Sequence, residues 1–393
     1  MPEERTHVKP DYVGGNHLAL LDSGREYFRA LETAIAGATA EIFLETYIYA
    51  SDETAGRITT ALIAAAERGV AVHVLVDGFG SRNMAADLRD KLREARVQLQ
   101  VYGPDISPFT LRRRRLRRMH RKLCVLDGCV GFAGGINIIN DFDEYSPQHP
   151  RYDIAVRIEG PLAAHMRAQM AHLWLRVSRA HLNRSMRSIP SPLPACSPRG
   201  GVSAALIVRD NLRHRRDIER AYLAAFAAAR QEIVIASAYF FPGRRLRHAL
   251  MSAARRGVHV VLLLQSGSDH PLQAYAARAF YGVLFAAGVE IYEYHQSALH
   301  AKVCVIDRRW ATVGSSNIDP FSLLLAREAN IVTEHPAFAV ALRETLQREL
   351  DRGATPVEPA AWEARPWPQR VRIWLAYGLV RLMMKLAGYG QAR

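Results

Sequence analysis

Two stretches of the chain carry the same succession of apolar and polar positions. The first, EIFLETYIYASDETAGRITTALIAAAERGVAVHVLVDGFGS from Glu41, opens as an apolar, β-rich run ending near Tyr47, continues as an Ala- and Leu-rich helical pattern and stops at Gly69. The second, EIVIASAYFFPGRRLRHALMSAARRGVHVVLLLQSGSD from Glu232, follows the same order, with Tyr239 near the end of its first run and Gly257 at its stop. An alternating Val/His/Leu run after each glycine reads as the next parallel strand. Strand, helix, C-capping glycine and strand make a βαβ unit. Two such units of this length predict an internal duplication.

The later part of each copy matches as well. HRKLCVLDGCVGFAGGIN runs from His120 to Asn137 and HAKVCVIDRRWATVGSSN from His300 to Asn317; in both, Asp falls seven positions after His and Asn seventeen. Between the copies lies SMRSIPSPLPACSPRGG, rich in Pro, Ser and Gly, which reads as a linker. The expected organisation is an α/β half at 12–185, a linker at 186–201 and a second α/β half at 202–356, each a mixed sheet sandwiched by helices.

His120 and Lys122 stand two apart in a strand-like run, so both side chains point to one face, and so do His300 and Lys302. Asp127 and Asp307 fall on the opposite parity, and Asp127-Gly128 is a two-residue hairpin signal. Those aspartates therefore read as turn and strand-end anchors. Gly134, Gly135, Gly314, Ser315 and Ser316 would let backbone N–H groups approach an anion, and Asn137 and Asn317 add side-chain donors. One such motif alone reads best as a surface His and Lys on an edge strand. Two in a matched repeat bring two imidazoles, two ammonium groups and two amides around one point. That set suits a phosphodiester: one His attacks phosphorus, the other protonates the departing oxygen, and the cations and amides hold the equatorial oxygens.

The HxKxxxxD pattern with its trailing GGIN or GSSN resembles the phospholipase D superfamily. The run GNHLALLDSGREYFRALETAIAGATAEIFLETYIY and the later AREANIV look more narrowly like bacterial cardiolipin synthases, and the likeness covers residues 14–335. It implies two homologous α/β/α halves with mixed sheets, related by a pseudo-two-fold, with the active site at their interface. It implies a catalytic set of His120, Lys122, Asp127, His300, Lys302 and Asp307, with phosphate bound by Asn137, Asn317 and Ser315. It further implies a carboxylate that orients each histidine: Glu328, 28 residues beyond His300, and Asp153, 33 beyond His120, the surplus fitting a loop around Pro147 to Pro150. A carboxylate on the far ring nitrogen would fix the tautomer and steady the imidazolium. Two departures stand out. Gly134-Gly135 faces Gly314-Ser315, so the two halves are expected to differ in phosphate contact. The longer synthases carry two N-terminal spanning helices, whereas this chain is similar to the shorter class.

Charge narrows the partner. Lys plus Arg number 52 against 38 Asp plus Glu, a net charge of +14, which favours a polyanion: nucleic acid or an anionic membrane. LRRRRLRRMHRK, from Leu111 to Lys122, could serve either. The C-terminal stretch 366–393 decides between them. Leu375, Leu379, Leu382, Met383 and Leu386 form a broad apolar face, with Arg370, Arg381 and Lys385 on a narrow opposite stripe, Trp374 and Tyr377 near its edges, and Arg372 breaking the pattern. That suits a helix lying in a membrane interface, the plain alternative being a helix packed on the domains. Nucleic acid is disfavoured. No leader, spanning helix, zinc site, other metal or organic cofactor is expected, and the oligomeric state stays open. Cys124 and Cys304 occupy the same place in the two repeats and read as small buried hydrophobes, which fits a reducing cytoplasm.

The expected protein is thus a peripheral enzyme on the cytoplasmic face of a bacterial membrane. It would transfer a phosphatidyl group between phosphatidylglycerol molecules through a phosphatidyl-histidine and release glycerol. The resemblance and the arginines before His120 favour that residue as nucleophile. A phosphodiesterase or nuclease, and a binding scaffold with a dead site, are the rival readings.

Overall fold

The computed structural model describes residues 10–103, 117–142, 148–181, 193–211, 213–267, 271–319, 322–323 and 325–385. Residues 111–116 of the arginine run, 143–147 before Asp153, 182–192 of the linker and 386–393 of the tail lie outside these.

The first copy folds as β1 (Val13–Leu21), α1 (Gly24–Gly37), β2 (Glu41–Thr46), α2 (Glu53–Glu67), β3 (Ala71–Asp77), α3 (Ala86–Glu94), β4 (Gln98–Tyr102), β5 (Leu123–Leu126), β6 (Val130–Gly134), β7 (Ala155–Glu159) and α4 (Pro161–Ala180). The second repeats it as β8 (Val202–Arg209), α5 (Asp217–Ala228), β9 (Glu232–Ser237), α6 (Arg244–Arg255), β10 (His259–Gln265), α7 (Pro271–Arg278), α8 (Tyr281–Phe285), β11 (Val289–Tyr294), β12 (Lys302–Ile306), β13 (Trp310–Gly314), β14 (Glu328–Thr333) and α9 (Pro336–Gly353). A short β15 (Ala354–Pro356), α10 (Pro359–Glu363) and α11 (Trp367–Met384) complete the chain.

All the strands join in one sheet, in the order β15-β11-β10-β9-β12-β13-β14-β8-β1-β7-β6-β5-β2-β3-β4. Read outward from the β8–β1 junction, the order of the two halves is the same, which is the expected pseudo-two-fold. At that junction the strands run antiparallel, with Val13 opposite Ala204 and Asn16 opposite Val202. β2, β3 and β4 are parallel, as are β9, β10 and β11, and β5–β7 and β12–β14 return antiparallel.

Side-chain parity divides the core. Phe43, Val125, Val234 and Val303 point to one face, where Trp174 of α4 and Leu342 of α9 cover both halves in a single cluster. Ile42, Leu44 and Cys124 point to the other, beneath α1 and α2. Ile233, Ile235 and Cys304 do so beneath α5 and α6. The two cysteines are free and buried, as their strand positions imply. Gly69 and Gly257 follow α2 and α6 at φ +92 and +90, the left-handed geometry of a C-terminal cap.

Cys129 in the β5–β6 turn is disulfide-bonded to Cys196, which ties the linker to the first half. The reducing-compartment reading rested on Cys124 and Cys304 and does not account for this bridge. Among the described residues, no helix is long and apolar enough to cross a membrane.

The motif aspartates sit at the far ends of β5 and β12 from the histidines. Asp127 and Gly128 both have positive φ, 49 and 64, as do Asp307 and Arg308 at 51 and 50, the conformation of a tight hairpin turn. Asp127 accepts the backbone N–H groups of Thr39, Ala40 and Glu41 at 2.8–2.9 Å. Asp307 accepts those of Arg230, Gln231 and Glu232 at 2.7–3.0 Å. Each carboxylate thus pins the start of the neighbouring strand, β2 or β9. Burial pushes the Asp127 pKa up, but these donors outweigh it and hold it below the ordinary value.

Asp127→Ala should therefore lower the unfolding free energy by about 2 kcal/mol, read as a lower urea midpoint, with turnover reduced only as far as folded protein is lost. Unchanged stability with abolished turnover would place Asp127 in the reaction instead.

Candidate active site

The chains leading into β5 and β12 meet the opposite half. His120 donates its N–H to the Arg327 carbonyl at 3.0 Å, and Arg327 donates to Arg118 at 2.8 Å. In the mirrored place, Tyr152 donates to Ala298 at 2.9 Å and His300 to Tyr152 at 2.7 Å. One residue beyond each of these cross-half pairings stands a carboxylate, Glu328 or Asp153.

The consequence is a crossed arrangement. His120 Nδ1 lies 3.0 and 3.1 Å from the two oxygens of Glu328. His300 Nδ1 lies 2.5 Å from Asp153 Oδ2. Each carboxylate, expected at the histidine of its own half, is instead hydrogen-bonded to the histidine of the other. With Nδ1 held by a carboxylate, Nε2 is the ring nitrogen left for a substrate.

The lysines lie beside them, almost wholly buried. Lys122 Nζ donates to the His120 carbonyl at 2.8 Å, and Lys302 Nζ to that of His300. Burial pulls the Lys122 pKa down to about 7 and that of Lys302 to about 8. Burial also depresses both imidazoles. For His120 the Glu328 charge opposes this, whereas Lys302, Arg151, Lys122 and His120 all push His300 further down. Burial raises the Asp153 carboxyl to about 6, with Lys302 opposing. Desolvation is the largest cause of the lysine shifts, Glu328 and Asp153 opposing it, and a bound phosphodiester would add negative charge beside both ammonium groups.

The glycine–serine difference between the motifs also has another cause than the expected one. A Cβ on Gly135 would fall 2.2 Å from Asp153 Oδ1, so glycine there is what lets Asp153 approach. In the second half Ser315 Oγ donates to Glu328 Oε2 at 2.5 Å and accepts from the Ala329 N–H at 3.0 Å. Ser315, read as a phosphate ligand, is therefore bonded to the histidine-orienting carboxylate. The N–H groups of Gly135 and Ser315 bond the Ile154 and Ala329 carbonyls at 3.3 and 3.0 Å, not a free anion position. Asn137 Oδ1 accepts from the Ile48 N–H at 3.1 Å, and Asn317 Nδ2 reaches Ser322 Oγ at 3.4 Å while its Oδ1 is buried without a partner.

Three residues escaped the sequence reading as site components. The Tyr47 ring meets His120 edge-on at 4.8 Å and lies 5.3 Å from Lys122 Nζ. Asp77 accepts the Met119 N–H at 2.8 Å, and Gln265 accepts the Leu299 N–H, so each holds the backbone just before a histidine. Their matched places at the ends of β3 and β10 were the available signal. Among the described residues, no cluster of His, Cys, Asp and Glu could hold a metal ion.

A family model described as "Cardiolipin synthase, PLD-like domain" matches residues 31–174 and 222–350. The chain belongs to that family. Cardiolipin synthase B of Salmonella typhimurium is 38% identical, the alignment covering 97% of this chain and 92% of that protein. Cardiolipin synthase B of Escherichia coli K12 is 37% identical with the same coverage. The major cardiolipin synthase ClsA of Bacillus subtilis is 31% identical over 86% of this chain and 70% of its own. Among solved structures, phosphatidylserine synthase of Haemophilus influenzae Rd KW20 superposes with a TM-score of 0.70, covering 96% of both chains at 16% identity, which establishes the shared fold. The chain is thus an enzyme of the phospholipase D superfamily with the expected two-half architecture.

The crossed pairing has a direct readout. Glu328→Gln should lower the imidazole pKa of His120, by removing the opposing charge, and leave that of His300 nearly unmoved. Histidine titration by NMR in both variants, Glu328→Gln and Asp153→Asn, checks it; a shift confined to His300 in Glu328→Gln would refute the crossing.

Proposed function

We propose that the enzyme makes cardiolipin by moving a phosphatidyl group from one phosphatidylglycerol to another. The observation that carries the chemistry is the pair of partly buried imidazoles, each backed at Nδ1 by a carboxylate, with two buried ammonium groups beside them. Family membership supports the lipid class.

In the first step His120 Nε2 attacks phosphorus, and the bond from phosphorus to the headgroup glycerol oxygen breaks. His300 passes its proton to that oxygen, and glycerol leaves. Glu328 steadies the positive charge that grows on His120. Lys122 and Lys302 hold the non-bridging oxygens, and Asn137 and Asn317 add amide donors. Bound anion raises the depressed histidine pKa values, which lets His300 carry the proton that the empty site disfavours. In the second step a glycerol hydroxyl of another phosphatidylglycerol gives its proton to His300 and attacks phosphorus. The P–N bond breaks, cardiolipin is released and His120 is restored. Asp127 and Asp307 serve this set as anchors of the strands beside it.

The choice of His120 as nucleophile is supported by the motif resemblance and by the cations Arg117 and Arg118 just before it. The acceptor, being a second lipid, places the enzyme at a membrane surface.

Purified protein in phosphatidylglycerol vesicles should give cardiolipin and glycerol in equal amounts. Phosphatidic acid as the sole lipid product would make it a hydrolase. With a donor whose leaving group needs no proton, His300→Ala should accumulate a phosphorylated peptide containing His120, seen by mass spectrometry. Adduct on His300 in a chain lacking His120 would reverse the roles.

The lysine values predict the alkaline limb. On a soluble phosphodiester, kcat/KM should fall as pH rises above about 7, where the Lys122 ammonium of the free enzyme is lost. A profile flat to high pH would remove Lys122 from the charge-bearing role.

A further inference from the structure

The C-terminal helix α11 is apolar on two opposite sides. One stripe is core: Ile373, Ala376 and Val380 are buried. The Tyr377 ring packs 5.9 Å from Phe241 and 5.5 Å from Phe280. Tyr377 therefore faces inward, not toward the polar edge as its helical phase suggested. At 100° per residue, the positions half a turn away are Val371, Leu375, Leu379 and Leu382, with Trp374 and Met383 on the shoulders. All six are exposed, Leu375 by 67% and Trp374 by 62%. The first stripe explains why the helix has a fixed seat. It gives no reason for the second.

The surroundings of the outward face are basic. Arg370, Arg381 and Lys385 flank it on one side and Arg372 on the other. Arg247 of α6 stacks on Phe280 at 4.8 Å, and Arg381 on Tyr377 at 5.7 Å. Arg244 and Arg381 both act on the charge of Arg247, so guanidinium groups from two helices lie near one another where α11 meets α6. No Asp or Glu occurs after Glu363, and none between Glu232 and Asp269. Among the described residues, no acidic side chain pairs with these arginines.

We infer that the outward face of α11, with its arginine rim, is the surface by which the enzyme lies on an anionic phospholipid bilayer. This rests on the proposed use of membrane lipid as substrate. A folded soluble protein seldom leaves so many large apolar side chains together in water. A second copy would bring another basic rim against this one in a chain of net charge +14. An anionic bilayer meets both needs at once: leucines and tryptophan enter the boundary between headgroup and acyl chain while the arginines bond phosphates. Because the inner stripe is part of the core, the bilayer would be held in one orientation relative to the two halves. For the same reason, deleting the helix would expose Phe241 and Phe280, so truncation is a poor test.

The test uses the full chain carrying Leu375→Gln, Leu379→Gln and Leu382→Gln, none of which touches the packed stripe. Flotation with phosphatidylglycerol vesicles should weaken by more than about tenfold, while turnover of monodisperse short-chain phosphatidylglycerol stays within about twofold of the parent. A second variant, Arg370→Gln with Arg381→Gln, should weaken binding to phosphatidylglycerol vesicles and flatten its salt dependence, with little effect on phosphatidylcholine vesicles. Unchanged flotation of both variants would overturn the assignment. So would a leucine variant that binds vesicles normally but loses self-association in sedimentation velocity, since the face would then be a subunit contact. Equal loss of vesicle binding and short-chain turnover would also overturn it, because the helix would then serve the site or the fold. If the parent binds vesicles through these leucines yet forms no cardiolipin from any phosphatidylglycerol, the docking face stands and the proposed reaction falls.

Discussion

Everything at the centre of this molecule depends on the two hydrogen bonds, from imidazole N–H to carboxylate, that cross between the halves. Glu328 serves His120 and Asp153 serves His300. Neither half alone holds its histidine with a defined tautomer, so the reactive arrangement exists only once both copies have folded and joined at β1 and β8. The crossing is set by backbone, since each carboxylate follows a residue already paired to the strand that carries the opposite histidine.

Burial makes that arrangement electrostatically unfinished. Two lysines and two carboxylates lie out of water with two partly buried histidines between them, and desolvation depresses the bases while raising Asp153. A buried cation is costly even beside carboxylates, and the negative charge of a bound phosphodiester would offset part of that cost. Affinity for the substrate anion and readiness for proton transfer thus have the same origin.

The duplication is not exact where chemistry demands a difference. Asp153 is short and comes close against Gly135, whereas Glu328 is longer and takes a hydroxyl from Ser315. Asp77 and Gln265 do the same mechanical work before each histidine, but only Asp77 can bring a negative charge near Lys122. The Tyr47 ring lies edge-on against His120, and the matched place in the second copy is Ala238. These departures give the two matched motifs unequal surroundings.

The repeat, its βαβ units and the capping glycines at 69 and 257 were all legible in the sequence. Each depends on side chains a few positions apart, where helix and strand periods govern directly. The anchoring role of Asp127 was legible too, from turn chemistry and parity. Which histidine each carboxylate serves was not. Spacing along the chain is blind to a choice between a partner in the same half and its image in the other, and only the docking of the halves made it. The same holds for Ser315 turning to Glu328, for the Cys129–Cys196 bridge and for the inward stripe of α11. The sequence determined the local elements and the chemical inventory; the tertiary structure decided their pairings, because those contacts join residues that lie far apart along the chain.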